Sequence, residues 1–161
     1  MRSITIVGGG LAGLTLGIAL RRAGVPAEII EAGTYPRHRV CGEFISGKGL
    51  QTLKRLGLAD LLVAAGARPI ETVAFFSSDR CYVQRRLPQP GISLARWSLD
   101  ATLARQFEAL GGKLRCGVKF NDDWSAPGIV RATGRKRQAT ENGKRWFGMK
   151  VHACGVELDA A

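Results

Sequence analysis

The stretch ITIVGGGLAGLTLGIALRRAGVPAEIIEAG, residues 4–33, decides the fold predicted for this chain. Residues 2–7 are short and rich in β-branched side chains, which predicts a strand. The apolar segment 11–23 predicts a buried helix that ends at Gly24, and 26–30 predicts a second strand. A strand, a helix and a strand in this order predict parallel pairing with a right-handed crossover.

Three glycines with the spacing Gly8-x-Gly10-x-x-Gly13 join the first strand to the helix. Gly8 permits a tight turn, Gly10 lets a phosphate approach the backbone, and Gly13 lets the helix pack closely on the strand. The free N–H groups and the positive end of the helix dipole suit phosphates at this helix start. Glu31 ends the second strand, where an acidic side chain binds an adenosine ribose and disfavours a 2′-phosphate.

The motif therefore predicts a dinucleotide site, with a turn that uses glycine for packing alone as the alternative. FAD and NAD(P) both use such a motif. Its position close to the first residue, followed by an irregular segment, favours FAD.

The rest of the chain predicts further elements of both kinds. Ser98 is predicted to cap an amphipathic helix with Leu99, Leu103 and Phe107 on one face and Arg105 on the other. The other predictions are a loop over 32–47, helices over 48–56 and 59–66, antiparallel strands over 70–77 and 81–87 that end at PQPG (88–91), parallel strands over 113–120 and 128–135, and a strand over 145–158.

Composition excludes several classes of protein. The chain has 161 residues, 45% of them hydrophobic, which suits about one globular domain. No run of about 18 apolar residues occurs, so no membrane span is expected. The first apolar stretch carries five glycines between Gly8 and Gly17 and lacks a clean cleavage site, so no signal peptide is expected. The net charge is +11. The densest basic run, 131–145, could bind nucleic acid, but no nucleic-acid motif accompanies it, so we interpret it as a solvated hairpin or loop without a nucleic-acid partner.

The four cysteines, Cys41, Cys81, Cys116 and Cys154, form no C-x-x-C pair and have no histidine at metal-ligand spacing. They indicate free thiols in a reducing compartment. We therefore expect a cytoplasmic protein without a metal site.

The segment EAGTYPRHRVCGEFIS (31–46) resembles FAD-dependent oxidoreductases of the geranylgeranyl reductase type. These are related to flavin monooxygenases and flavin-dependent halogenases with the p-hydroxybenzoate hydroxylase fold. Three further stretches are similar to the same family: LARWSLDATLARQFEALGGKL (94–114), IVRATGR (129–135) and RWFGMKVHA (145–153). The resemblance extends over residues 3–153.

The resemblance implies FAD as cofactor and a set of residues that contact it, and it assigns no catalytic residue. Alternatives stay open: Arg37 and Arg39 as exposed loop charges, Cys41 as a structural thiol, and Arg96 as a partner of Asp100 alone. Thr133 stands where many relatives have Asp. The implied FAD-binding residues are Gly8, Gly10, Leu11, Ala12 and Gly13 at the pyrophosphate, Glu31 and Ala32 at the ribose, Arg37, Arg39, Cys41, Gly42 and Glu43 along the flavin, Arg96 at the phosphates or ring, Val118 at the adenine, and Ala132, Thr133 and Gly134 from the far half of the sheet.

The expected fold is α/β, a Rossmann-like FAD-binding domain with a parallel sheet (1–69 and 92–140) plus an incomplete antiparallel substrate-domain sheet (70–91 and 141–161). Family members are more than twice as long, so we interpret the chain as an N-terminal portion. The implied activity is that of an FAD-dependent oxidoreductase, which takes a hydride from NAD(P)H and then reduces an alkene or activates oxygen for hydroxylation or halogenation. The expected substrate is a small apolar molecule.

Two alternatives to an oxidoreductase remain. One is a non-catalytic dinucleotide-binding module, dimeric through an exposed sheet edge, and the other is an NAD-binding protein. Phe75, Phe76 and Trp97 are interpreted either as core or as contacts to an apolar ligand.

Overall fold

The computed structural model describes residues 3–41, 43–77, 80–134, 143, 149–151 and 155. The chain divides into two compact units: unit 1 is Met1–Arg39 with Ala95–Phe147, and unit 2 is Val40–Leu94 with Gly148–Ala161. This division differs from the predicted boundaries, because residues 40–69 group with the antiparallel strands rather than with the glycine motif.

Helices and strands follow the predicted order closely. The observed elements are, in chain order, β1 (Ile4–Val7), α1 (Leu11–Arg22), β2 (Ala27–Glu31), β3 (Phe44–Ile45), α2 (Gly47–Arg55), α3 (Ala59–Ala64), β4 (Arg68–Ser77), β5 (Arg80–Ser93), α4 (Arg96–Ala109), β6 (Lys113–Cys116) and β7 (Ile129–Arg131).

Unit 1 contains a four-stranded sheet with the strand order β6-β2-β1-β7. Every neighbouring pair is parallel, which confirms the predicted third and fourth parallel strands. Helix α1 contacts β1, β2 and α4, and α4 also contacts β6. The carboxyl ends of β1, β2 and β7 therefore meet at one edge of the sheet, beside the start of α1.

The core of unit 1 depends on close packing of α1, α4 and β2. Leu14, Ile18 and Phe107 are fully buried. A Cβ on Gly17 would lie 2.8 Å from Phe107 Cε2 and 2.9 Å from Ile29 Cδ1. Since real Cβ contacts are longer than this, Gly17 sets how closely the three elements approach.

The start of α4 differs from the prediction. Ala95 is the N-cap residue, and its carbonyl accepts hydrogen bonds from Ser98 N–H (2.9 Å) and Leu99 N–H (2.8 Å). Ser98 thus lies inside the first turn, and the prediction that it caps the helix was wrong. The ion pair of Arg96 with Asp100, one turn apart, stabilises the three extra residues, 96–98.

Unit 2 contains a three-stranded antiparallel sheet with the order β3-β5-β4. The α/β class with a separate antiparallel sheet is therefore confirmed. The loop predicted over 32–47 was wrong at its end, because Phe44 and Ile45 pair with Ser93 and Ile92. That pairing joins distant segments, so local sequence did not indicate it.

Strand β5 continues through residues 88–91, where the prediction ended it. Ile70 pairs with Gly91, but Thr72 already pairs with Arg86. Residues 87–90 therefore lie opposite Glu71 in an irregularity of the ladder. Proline lacks an N–H, and this irregular segment accommodates Pro88 and Pro90 without losing regular ladder hydrogen bonds.

The strand predicted over 145–158 falls mainly outside the described residues. Residues 149–151 are described and are not in a strand.

Candidate functional site

A cleft of about 510 Å³ opens in unit 1 at the carboxyl edge of the parallel sheet. Ligands of open α/β sheets bind at this edge. Twelve of the predicted cofactor-binding residues line it, joined by residues of the segment that follows β6. The lining residues are Val7, Gly8, Gly10, Leu11, Ala12, Ile30, Glu31, Ala32, Arg39, Arg96, Val118, Lys119, Phe120, Asn121, Trp124, Ala132, Thr133 and Gly134.

The three glycines of the motif meet different surroundings. Gly8 has φ +110°, and a Cβ there would lie 2.4 Å from Ala132 O. A Cβ on Gly13 would lie 1.9 Å from Gly8 O, whereas a Cβ on Gly10 would meet nothing within 4 Å. Gly8 and Gly13 therefore serve close backbone packing, and Gly13 does not line the cleft. Gly10 alone faces open space.

The start of α1 is suited to an anion. The first helical hydrogen bond runs from Leu14 N–H to Gly10 C=O (2.9 Å), so the N–H groups before Leu14 have no helical acceptor. The first turn contains no acidic residue. No acidic side chain of the helix itself therefore offsets the positive end of its dipole at the cleft.

Glu31 is 6% exposed and is held by three donors. Its Oε2 accepts from Gly9 N–H (2.7 Å), and its Oε1 accepts from Gly33 N–H (2.8 Å) and Arg37 Nη1 (2.6 Å). Burial would raise the pKa of Glu31, but Arg37 and the two N–H groups outweigh burial and lower the pKa to about 2. The carboxylate at the end of β2 is therefore ionised at every physiological pH.

Arg37 does not line the cleft. Its guanidinium binds Glu31 and donates from Nη2 to Gly9 O (3.3 Å), and the Tyr35 hydroxyl donates to the same Gly9 carbonyl. The ion pair with Glu31 raises the pKa of Arg37, while burial and the nearby Glu31 charge raise that of Tyr35. The contact of Arg37 with a flavin stays a prediction.

Arg96 lies at the cleft wall and forms an ion pair with Asp100. Its Nε and Nη2 donate to the two carboxylate oxygens of Asp100 at 2.7 Å each. Asp100 is fully buried, so the pair fixes the guanidinium in place. Arg96 therefore pairs with Asp100 and also lines the cleft, and its contact with FAD stays a prediction.

Aromatic side chains between β6 and β7 form the part of the cleft that sequence reasoning missed. The rings of Phe120 and Trp124 lie 4.7 Å apart, edge to face, and the Arg131 guanidinium lies 5.1 Å from the centre of the Trp124 ring. Trp124 is 43% exposed. Two aromatic residues in an otherwise polar crossover were the available signal. Val118, predicted here, donates its N–H to the Glu31 carbonyl (3.1 Å).

Three further predicted contacts are those of Cys41, Gly42 and Glu43. Cys41 and Glu43 belong to unit 2, and Gly42 lies outside the described residues. Cys41 Sγ accepts from Glu43 N–H at 3.4 Å, and the Glu43 carboxylate pairs with Lys150. Glu43 has φ +55°, an uncommon conformation for a residue other than glycine. Their contact with a flavin stays a prediction.

Within the described ranges, no three His, Cys, Asp or Glu side chains stand close enough to bind a metal ion. Over the same residues, no helix has the length and apolar character needed to cross a membrane.

A family described as FAD binding domain matches residues 1–142. The chain belongs to this family. FAD is therefore the cofactor of the domain, and the predicted choice of FAD over NAD(P) is confirmed.

Named relatives of this FAD-binding domain are redox enzymes. The 3-amino-4-hydroxybenzoate 2-monooxygenase PtmB3 of Streptomyces platensis is 39% identical over 108 residues, which cover 66% of this chain and 24% of the relative. Menaquinone reductase of Mycobacterium tuberculosis (strain H37Rv) is 28% identical over 120 residues, which cover 72% of this chain and 29% of the reductase. The solved structure of a tetrameric form of 2-methyl-3-hydroxypyridine-5-carboxylic acid oxygenase is 25% identical, with a TM-score of 0.65. The match covers 73% of this chain and 32% of the oxygenase chain.

The FAD-binding domain thus spans between 24% and 32% of the lengths of these three proteins. The solved structure of the flavin-dependent monooxygenase PieE with FAD and substrate has the same fold, with a TM-score of 0.60 at 24% identity.

The described residues fit the adenosine diphosphate half of FAD. The open space at Gly10 admits a phosphate, the start of α1 offers N–H donors, and the ionised Glu31 stands at the end of β2. A cleft of about 510 Å³ is within the range of small-molecule and cofactor sites, about 300–1,000 Å³.

Proposed function

We propose that this FAD-binding domain is part of an oxidoreductase that takes a hydride from NAD(P)H and then reduces or hydroxylates a small apolar molecule. The family match supports the FAD part, and the named relatives include both monooxygenases and a reductase. FAD, when bound, supplies the redox chemistry, and the protein binds and orients it.

The open cradle at Gly10 carries the binding part of the proposal. Gly10, Leu11 and Ala12 line the cleft at the start of α1, where N–H groups and the helix dipole stabilise a pyrophosphate. A side chain at Gly10 would occupy that space without touching protein. A glycine needed only for packing would instead have near neighbours, as Gly13 and Gly17 do.

The adenosine would occupy the side of the cleft between Glu31 and Trp124. Glu31 has acceptor capacity for a ribose hydroxyl, and its negative charge repels a 2′-phosphate. Beyond Glu31 the cleft wall is formed by Val118, Phe120 and Trp124. An exposed indole with a cation on its ring offers a flat apolar surface of the kind on which a purine stacks.

Two arginines would neutralise the phosphates and guide the other half of FAD. Arg39 and Arg96 line the cleft, as do Thr133 and Gly134 at the end of β7. The buried Asp100 already holds the Arg96 guanidinium in one conformation. Arg96 therefore loses little further side-chain entropy when FAD binds.

The absorbance spectrum of the purified chain, with and without added FAD, tests the binding part. Bound flavin colours a protein yellow, and a chain that is colourless after FAD addition and removal of unbound FAD by gel filtration would contradict the proposal. Anaerobic addition of NADPH tests the redox part: bleaching supports an oxidoreductase, whereas bound flavin that NADPH leaves oxidised favours the non-catalytic module.

We also propose a cytoplasmic location, supported by the free thiols of Cys41 and Cys116, and a dimer through unit 2. Strand β4 is one of the two edge strands of the described sheet in that unit, and its Phe75 is 56% exposed. An unpaired edge with exposed apolar residues favours strand pairing. Sedimentation of the chain at several concentrations tests the dimer, and a monomer at all of them would exclude it.

A further inference from the structure

Gly9, between the two cofactor glycines, has its peptide groups held on both sides. Its N–H donates to Glu31 Oε2 at 2.7 Å. Its carbonyl accepts from the Tyr35 hydroxyl and, at 3.3 Å, from Arg37 Nη2. Gly9 is buried, and a Cβ on it would lie 2.0 Å from the Tyr35 oxygen.

The Gly9 carbonyl belongs to the same peptide group as the Gly10 N–H. A trans peptide is planar, with its C=O and N–H pointing in opposite directions. Holding the carbonyl from one side therefore fixes the N–H on the other side, at the residue that lines the cleft. The described part of the chain provides no hydrogen-bond acceptor for Gly10 N–H.

Arg37 also determines how many acceptor positions of the Glu31 carboxylate remain available to a ligand. A carboxylate has about four lone-pair positions. Gly33 N–H and Arg37 Nη1 occupy Oε1, and Gly9 N–H occupies one position on Oε2. One acceptor position remains on Oε2, which is the number that a single ribose hydroxyl requires.

We propose that Tyr35 and Arg37 are positioning residues for FAD: without lining the cleft, they preset Gly10 N–H for the pyrophosphate through the Gly9 carbonyl, and Arg37 also presets Glu31 for the ribose. This inference rests on the proposed binding of FAD and is independent of the redox step. The low pKa of Glu31 agrees with it, since Arg37 is the main group that offsets burial.

Tyr35→Phe tests whether the Gly9 carbonyl positions Gly10 N–H for the pyrophosphate. The substitution removes one hydroxyl donor and keeps the ring. Loss of one hydrogen bond predicts about two- to tenfold weaker binding of FAD and of ADP. Adenosine has no phosphate, so its affinity should equal that of the wild type. Affinities are measured by flavin fluorescence and by competition with ADP or adenosine.

Arg37→Met tests whether Arg37 presets the Glu31 carboxylate for the ribose. Without Arg37, only the Gly9 and Gly33 N–H groups offset burial, so the pKa of Glu31 rises. FAD affinity is therefore expected to fall at a higher pH than in the wild type as the solution is acidified. Arg37→Lys should move the pH at which FAD affinity falls part of the way back to the wild-type value. Arg39→Met is the matched control, because it removes an equal charge at the cleft wall without touching Glu31, and its affinity should show no such shift in pH dependence.

Distinct results would overturn the inference. Unchanged affinity of Tyr35→Phe for FAD and ADP overturns it, and so does equal weakening of ADP and adenosine, which indicates a general structural role. A pH profile of FAD affinity for Arg37→Met that matches the wild-type profile also overturns it. If Arg37→Met does not fold, the ligand comparison with Tyr35→Phe decides. A wild-type chain that binds no FAD refutes the proposed binding itself, whereas flavin that NADPH does not bleach leaves this inference intact.

Discussion

Gly10 is the glycine of the motif at which an added methyl group meets the open cleft. Its φ of −81° and ψ of −175° are accessible to any residue, and no protein atom lies within 4 Å of the added Cβ. Gly10→Ala gains about 0.4–1 kcal/mol through the unfolded chain and loses a similar amount because Ala is a poorer N-cap than Gly. We expect its free energy of unfolding to stay within about 1 kcal/mol of the wild type.

The same methyl group would occupy the space assigned to the pyrophosphate. Overpacking by one methyl costs about 1–3 kcal/mol, which corresponds to about 5- to 160-fold weaker FAD binding. Titration of FAD followed by flavin fluorescence measures the loss, and urea unfolding measures stability. The phosphates, not the adenosine, should account for the difference, so ADP should be weakened as much as FAD.

Gly17→Ala is the matched control, since it adds the same methyl group to the same helix. Its Cβ would press on Phe107 Cε2 at 2.8 Å, so we expect it to destabilise the fold by about 1–3 kcal/mol and to leave FAD affinity of the folded chain unchanged. If Gly10→Ala binds FAD as tightly as the wild type, or loses stability as Gly17→Ala does, the assignment of Gly10 to the phosphates is wrong.

Three further substitutions address the rest of the site. The pKa of Glu31 is about 2 in the folded chain against 4.5 when unperturbed, so its ionised form stabilises the fold above about pH 4.5, and that contribution, about 3 kcal/mol, disappears as the pH falls towards 2. The stability gap between wild type and Glu31→Gln in urea unfolding should therefore narrow over this range, and a constant gap would contradict the low pKa. Trp124→Ala should weaken FAD and ADP equally, by about 5- to 160-fold if the adenine stacks there, with Trp124→Phe close to wild type; unchanged ADP affinity would place the adenine elsewhere. Arg96→Met leaves Asp100 buried and unpaired and should cost about 3–5 kcal/mol of stability by urea unfolding, whereas a loss below about 1 kcal/mol would mean that solvent reaches Asp100.

The βαβ unit could be predicted because its requirements are local. Residues 4–33 carry apolar runs of the correct lengths, and the glycines stand where the backbone needs them, as the φ of +110° at Gly8 shows. The fold class followed from the same stretch. The boundary of unit 2 did not, because it depends on which distant segments share a sheet, as Phe44 and Ile45 do with the end of β5.

In the candidate site, Gly10 and Glu31 were predicted from the spacing of the motif. Residues from distant segments, such as Arg96 and Ala132, were predicted only through the family resemblance, and Phe120 and Trp124 were not predicted. Gly10 and Glu31 lie in one cleft as their spacing indicates. Arg37 follows Glu31 by six residues, and only the folded turn shows that it binds this carboxylate rather than lining the cleft. Its contact with a flavin, like those of Cys41 and Glu43, stays a prediction.

The sequence by itself determined the cradle for a dinucleotide phosphate, since the missing Cβ atoms and the helix start are properties of a few consecutive residues. Tertiary structure alone decided what surrounds that cradle. It brought Trp124 and Phe120 to the cleft, paired β7 with β1, and fixed the Gly9 peptide between Glu31 and Tyr35. These contacts join segments from 22 to more than 100 residues apart, and such contacts depend on the packing of the whole unit rather than on local preference.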